Sequence, residues 1–224
     1  VKHRTLLGQA NVPGSDQVLK LYRLKDDCLI TLSGRGELMS TRKHASEAAL
    51  GRLPCQMLRQ PDRADVLIGG LGMGFTLAAA LRATGAQARI TVAELVPEIV
   101  DWNLGELGEH SGHPLRDART VVYPGDVADL LRDPARRFDV IALDVDNGPE
   151  GFSTPGNGWL YSPAGIACAR ERLEPDGVLA YWSATPDRPF ARRLRDGGLR
   201  VSERSVFAHG DKGVRHTLWL CRTG

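Results

Sequence analysis

Three carboxylates follow a glycine run at matching places. Gly70, Gly72 and Gly74 form G-x-G-x-G in "LIGGLGMGFTLAAAL", between an apolar strand and an alanine-rich helix. Glycine at such a turn lets the chain bend tightly and lets a ligand lie against bare backbone. Glu94 ends the next apolar run, where an acidic side chain reaches the hydroxyls of a ribose. One ionised carboxylate can accept two hydroxyl hydrogen bonds, so the sugar is held without any phosphate. Asp126, in "YPGDVAD" and followed by Val127, ends the third run, where it could accept from an adenine amino group. Asp144, in "VIALDVDNGPEG", ends the fourth.

Phosphate chemistry fits poorly. A dinucleotide fingerprint G-x-G-x-x-G begun at Gly70 or Gly72 would need glycine or alanine where Phe75 and Leu77 stand. Begun at Gly69, it fails at Leu71, and no Walker lysine follows the turn. An adenosine without phosphate, such as a sulfonium nucleoside, suits the pattern better.

These residues need a parallel sheet to bring them together, and the chain supplies the pattern for one. Apolar runs at "ADVLIGG", "ARITVAEL", "ARTVVYPGD", "RFDVIALDVD" and "GVLAYWSA" read as strands buried on both faces. Helices are expected between them, at "FTLAAALRATG", at "PEIVDWNLGEL" behind Pro97, and at "VADLLRD". Another spans "SPAGIACARERLEPDG", from Ser162 as N-cap to Gly177 past its end. The fold class is a doubly wound, Rossmann-like α/β sheet. The tail runs "LRVSERSVF" and "RHTLWLCR" are too close for a crossover helix and must pair antiparallel, the pattern of class I S-adenosylmethionine-dependent methyltransferase folds. The arginines of "RPFARRLRDGGLR" read as the exposed face of a helix.

Upstream, "QVLKLYRL", "CLITLS" and a short strand after Gly34-Arg35-Gly36 form a hairpin or meander. It is expected to be a small N-terminal β unit over residues 1–45, with the nucleoside-binding domain over 46–224. A helix through "SEAALGRL" should be interrupted or kinked by Pro54.

Composition narrows the function classes. Of 224 residues, 42% are hydrophobic and 25% charged, the balance of a globular protein, and a net charge of +2 with dispersed arginines argues against nucleic acid. No run reaches signal-peptide or membrane-span character, so a cytoplasmic protein without a membrane partner is expected. Cys28, Cys55, Cys168 and Cys221 are far apart with no CxxC pair, and the "HSGH" histidines, His110 and His113, read as a surface loop, so no metal is expected.

The stretches "LIGGLGMGFTLAAAL", "ITVAELVPEIVDWN", "YPGDVADLL", "FDVIALDVDNGPEG" and "LITLSGRGELMSTRKHASEAAL" together resemble the spermidine synthase (polyamine aminopropyltransferase) family, from about Gln17 to the end. The resemblance implies that Gly70, Gly72, Gly74, Glu94, Asp126 and Val127 hold the sulfonium nucleoside. Asp144 matches the first aspartate of the family's D-S-x-D-P segment, which orients and deprotonates the attacking amine. The second aspartate is replaced by Asn147, with Asp146 one place earlier. The family's L-D-G-x-x-Q reads Leu32-Ser33-Gly34-Arg35-Gly36-Glu37, and its Y-x-E reads Ala45-Ser46-Glu47. Glu37, Glu47, Asp146 and Asn147 are therefore candidate substrate residues. Tyr161, in "GWLYSPAG", is a further one, although packing beside Trp159 suits it at least as well. Because the family commonly dimerises, a homodimer is expected.

The chemistry has its own logic. A sulfonium activates its neighbouring carbons toward displacement, and the thioether leaves neutral. An alkyl amine with a pKa near ~10 is mostly protonated at neutral pH, so a carboxylate must take its proton. Three readings stay open: aminopropyl transfer from decarboxylated S-adenosylmethionine to a small-molecule amine, methyl transfer from S-adenosylmethionine itself, and a non-catalytic nucleoside-binding relative.

Overall fold

A computed structural model describes residues 4–145, 157–210 and 212–224. Four antiparallel strands come first: β1 (Thr5–Asn11), β2 (Val18–Leu24), β3 (Asp27–Leu32) and β4 (Gly36–Ser40). β1 was not foreseen. Its alternation is broken by a register shift between Leu6 and Gly8, and the Trp102 indole packs where a Gly8 Cβ would stand.

The second sheet has seven strands: β5 (Asp65–Gly69), β6 (Arg89–Glu94), β7 (Thr120–Pro124), β8 (Phe138–Leu143), β9 (Leu173–Ser183), β10 (Leu199–His209) and β11 (Lys212–Thr223). Their order is β10-β11-β9-β8-β5-β6-β7, with β5 to β9 paired parallel and β11 antiparallel to both of its neighbours. This is the Rossmann-like methyltransferase fold, and the tail hairpin closes it as expected. Along the sheet Gly69 stands opposite Ala93 and Leu143, and Glu94 opposite Pro124. Residues just past these positions therefore share the carboxyl edge. Strand order reverses between β5 and β8, the usual crevice for a ligand.

The helices are α1 (Ala45–Gln56), α2 (Phe75–Ala83), α3 (Pro97–Leu104), α4 (Glu106–Ser111), α5 (Val127–Arg132), α6 (Pro163–Glu171) and α7 (Arg188–Asp196). Alternate strand residues serve opposite faces of the sheet. Val66, Ile68, Val140 and Ala142 pack in one core with Leu50, Leu77 and the inner face of the first sheet (Leu19, Leu21, Ile30, Leu32). Leu67, Ile141 and Leu143 pack in the other with Leu131, Ile166 and Leu194. In α7, Phe190, Ala191 and Leu194 are buried while Arg188, Arg192 and Arg195 are exposed.

Three boundaries differ from expectation. α1 runs through Pro54 to Gln56, because the proline lies in the last turn, where only one helical hydrogen bond is lost. The helix behind Pro97 breaks at Gly105 (φ −96°, ψ −121°), giving α3 and α4. α6 stops at Glu171 rather than near Gly177, since Pro175 cannot continue a helical ladder. The chain instead enters β9 at Leu173 opposite Phe138, loops out, and re-pairs at Val178 opposite Val140.

Candidate functional site

β5 delivers the glycine turn to the sheet edge. Gly70, Gly72 and Gly74 all have positive φ (89°, 52° and 81°). At Gly70 the constraint is double, because a Cβ would also overlap the carbonyl oxygen of Asp144. Asn103 fastens the turn from α3, donating from Nδ2 to the Gly72 carbonyl at 2.8 Å and to that of Ile99 at 2.9 Å.

Glu94 is buried beneath this turn. Leu71 N–H donates to its Oε2 and Val96 N–H to its Oε1, both at 2.9 Å. Burial pushes its pKa up, and the N–H groups of Val96, Leu71, Gly72 and Leu95 oppose that shift by favouring the ionised form. The carboxylate is thus fixed in orientation, with remaining lone pairs available to hydroxyl donors.

Asp126 caps α5, its Oδ1 accepting from Ala128 N–H at 2.8 Å, which leaves Oδ2 for a ligand. Gly70, Gly72, Glu94, Asp126, Val127 and Asp144 line one cavity. Its apolar walls come from both sheets and from α3: Val12, Leu19 and Leu32 on one side, Val96 and Ile99 on the other. Such a lining has the chemistry to take a flat apolar base and a hydroxylated sugar. Gly74 does not line it. It ends the turn at the start of α2, where a Cβ would stand 2.7 Å from Asn103 Oδ1.

A second cavity adjoins the first through Leu38, Met39, Gly72, Asp144 and Val145, and adds Glu47, Thr76, Phe75 and Trp182. Glu47 arrives on α1, which lies so close to α2 that a Cβ on Gly51 would overlap the Thr76 carbonyl. Thr76 Oγ1 lies 3.0 Å from Asp144 Oδ2 and 3.2 Å from the Glu47 carbonyl oxygen. Burial raises the pKa of both carboxyls, and the Asp144 charge raises that of Glu47 further. Two carboxyls competing for ionisation in one recess favour a shared proton or a cationic ligand. Among the described residues lining either cavity there is no lysine, arginine or histidine.

Not every candidate comes to these cavities. Glu37 is exposed and pairs with Lys43 Nζ at 2.8 Å. Tyr161 is 2% exposed in the core, against Tyr181 and Phe190, and lines neither cavity. Asp146 and Asn147 lie outside the described residues. His110 lies in the last turn of α4, with Nε2 3.5 Å from Cys28 Sγ, and His113 immediately precedes a 3-10 turn; they do not form the expected surface loop. Among the described residues no group of three or more His, Cys, Asp or Glu could hold a metal ion. Sequence reasoning missed Thr76, Met39, Trp182 and the apolar wall from β2 and β3. Thr76 alone carried a signal, as the one hydroxyl in "FTLAAAL".

The fold and the edge cavities define a member of the Rossmann-like methyltransferase fold with an added antiparallel sheet. No family model matches the sequence, and no curated protein does. Solved structures do match. A spermidine synthase in complex with the transition-state analogue AdoDATO superposes with a TM-score of 0.80 at 18% identity, over 98% of this chain and 74% of that one. Spermidine synthase from Thermotoga maritima gives a TM-score of 0.77 at 18% identity, over 98% and 73%. Human methyltransferase-like protein 13, in complex with SAH, gives 0.59 at 20% identity, over 81% and 82%.

Proposed function

We propose that this chain is a transferase that moves an aminopropyl group from decarboxylated S-adenosylmethionine to a small-molecule amine. The observation that carries the proposal is the recess holding Asp144 and Glu47 beside the nucleoside cavity, with no basic side chain among its described lining residues. An ammonium on the donor and an amine acceptor suit two carboxylates. The carboxylate of intact S-adenosylmethionine would meet like charge there and needs cations or free N–H groups instead. The likeness to structures described as spermidine synthase supports the same reading.

The first cavity holds the adenosine: Glu94 the ribose, Asp126 the adenine amino group, and bare backbone at Gly70 and Gly72 the atoms near sulfur. Asp144 takes a proton from the acceptor ammonium. The free amine then forms a C–N bond as the C–S bond breaks, and the electron pair passes to sulfur, which leaves as a neutral thioether. Holding nucleophile, carbon and sulfur in line supplies much of the acceleration.

Thermal denaturation with each donor tests the reading. Stabilisation by the decarboxylated donor, followed by an aminopropyl mass increment on a member of an amine panel, is expected. Stabilisation by S-adenosylmethionine alone, with a methyl increment, would overturn it in favour of methyl transfer, and no response to either donor would leave a protein that does not use them.

A further inference from the structure

We propose that Ser46 and His216 form a proton path between the Glu47–Asp144 pair and solvent, a role that rests on the transfer reaction proposed above. The reaction releases one proton per turnover onto this carboxyl pair, and that proton has to leave before the next turnover. Ser46 is fully buried at the start of α1, and its hydroxyl donates to Glu47 Oε2 at 2.5 Å. His216 comes from β11, 170 residues away, and places Nδ1 2.8 Å from the same hydroxyl. A hydroxyl has one proton. With that proton directed at Glu47, His216 Nδ1–H is the donor to Ser46, and Nε2 carries the lone pair. The Trp182 ring meets the imidazole edge-on, with centroids 4.7 Å apart, and sets its orientation.

Charged neighbours agree with a carrier that does not retain its proton. Burial and the nearby Lys43 ammonium both lower the proton affinity of His216, which is half-buried. Glu47 faces Asp144, whose charge raises the proton affinity of Glu47. A proton taken from the acceptor is therefore captured by the carboxylate pair and passed on, not stored on the imidazole.

Each hop balances. Starting from the Nε2–H tautomer, with the Ser46 hydroxyl turned toward Nδ1, protonated Glu47 gives its proton to Ser46 Oγ as the Ser46 proton moves to His216 Nδ1, and the imidazolium then loses its Nε2 proton to water. The final arrangement is the one in the structure, with Ser46 donating to Glu47 and accepting from His216. Rotation of the Ser46 hydroxyl and exchange of the imidazole tautomer through solvent re-arm the path. Ser46 and His216 are positioning residues, since neither touches the reacting atoms.

The test combines turnover with imidazole NMR on the full chain. His216→Gln keeps a donor toward Ser46 but cannot carry a proton. It is expected to lower kcat about tenfold with the donor KM unchanged, and added imidazole should restore much of the rate. Ser46→Ala should show the same loss without rescue by imidazole, and Ser46→Thr should retain the rate. Independently of turnover, 15N shifts of His216 are expected to report the Nδ1–H tautomer near neutral pH, and Ser46→Ala to shift it toward Nε2–H. A wild type that transfers while His216→Gln matches its kcat and pH profile overturns the path. A wild type that transfers to no amine, yet shows the Nδ1–H tautomer, overturns the reaction and the path's role in it, and leaves only the hydrogen-bonded chain.

Discussion

Thr76 Oγ1 lies 3.0 Å from Asp144 Oδ2. That contact favours the ionised form of a carboxyl whose pKa burial pushes up, which on the proposed reading keeps Asp144 available as a base. Thr76→Val preserves the shape and removes the donor. It is expected to cut turnover about tenfold and move the acidic limb of the rate profile to higher pH, with nucleoside affinity unchanged by calorimetry.

Glu94 accepts one N–H on each oxygen, which makes glutamine a poor substitute despite its shape. One amide end would present its NH2 to a backbone N–H. Glu94→Gln is expected to cost about 2 kcal/mol, and so to lower Tm by roughly 4–8 °C. Adenosine binding should weaken at least about tenfold, a loss that calorimetry will read.

The acidic recess reduces stability at neutral pH. Glu47 is pushed from 4.5 to about 7, by burial first and by Asp144 second, and Asp144 from 3.8 to about 6 by burial. A carboxyl with a higher pKa folded than unfolded binds its proton more tightly when folded. Stability contributed by these groups therefore falls as pH rises from about 4 to about 7, and the full penalty is present above that window. Glu47→Gln should raise Tm by roughly 3 °C at pH 8 and not at all at pH 4. Over the same window wild-type turnover should climb with pH, because the base must be unprotonated.

Gly51 sets the spacing of α1 and α2, and hence the distance from Glu47 to Thr76. Alanine is the better helix former by about 1 kcal/mol, but its methyl would overlap a backbone carbonyl that no rotamer change can move. The overlap is expected to win. Gly51→Ala should lower Tm and reduce turnover more than it weakens nucleoside binding, since Glu47 and Thr76 line the second cavity and not the first.

The parts of this molecule that were legible in the sequence are those set by short periods and by chain direction. Strands β5 to β9 announced themselves as apolar runs, and a parallel sheet places every strand's last residue at one edge, so Glu94, Asp126 and Asp144 had to be neighbours. Contacts between distant segments were not legible. The approach of α1 to α2 depends on one glycine, and the Ser46–His216 contact joins residues 170 apart in the chain. Glu37 came from motif correspondence alone, and Tyr161 from a stretch that suited packing as well as a pocket. The structure gives the first a surface lysine and the second a packed core.

The first cavity is walled jointly by Val12, Leu19 and Leu32 of the first sheet region and by loops of the second. On the proposed reading a nucleoside filling it acts as a keystone. Its affinity would be expressed only with both sheets in place, so binding is expected to add to the free energy that keeps them docked. Amide hydrogens of β2 and β3, which never touch the reacting atoms, should exchange more slowly once the cavity is filled.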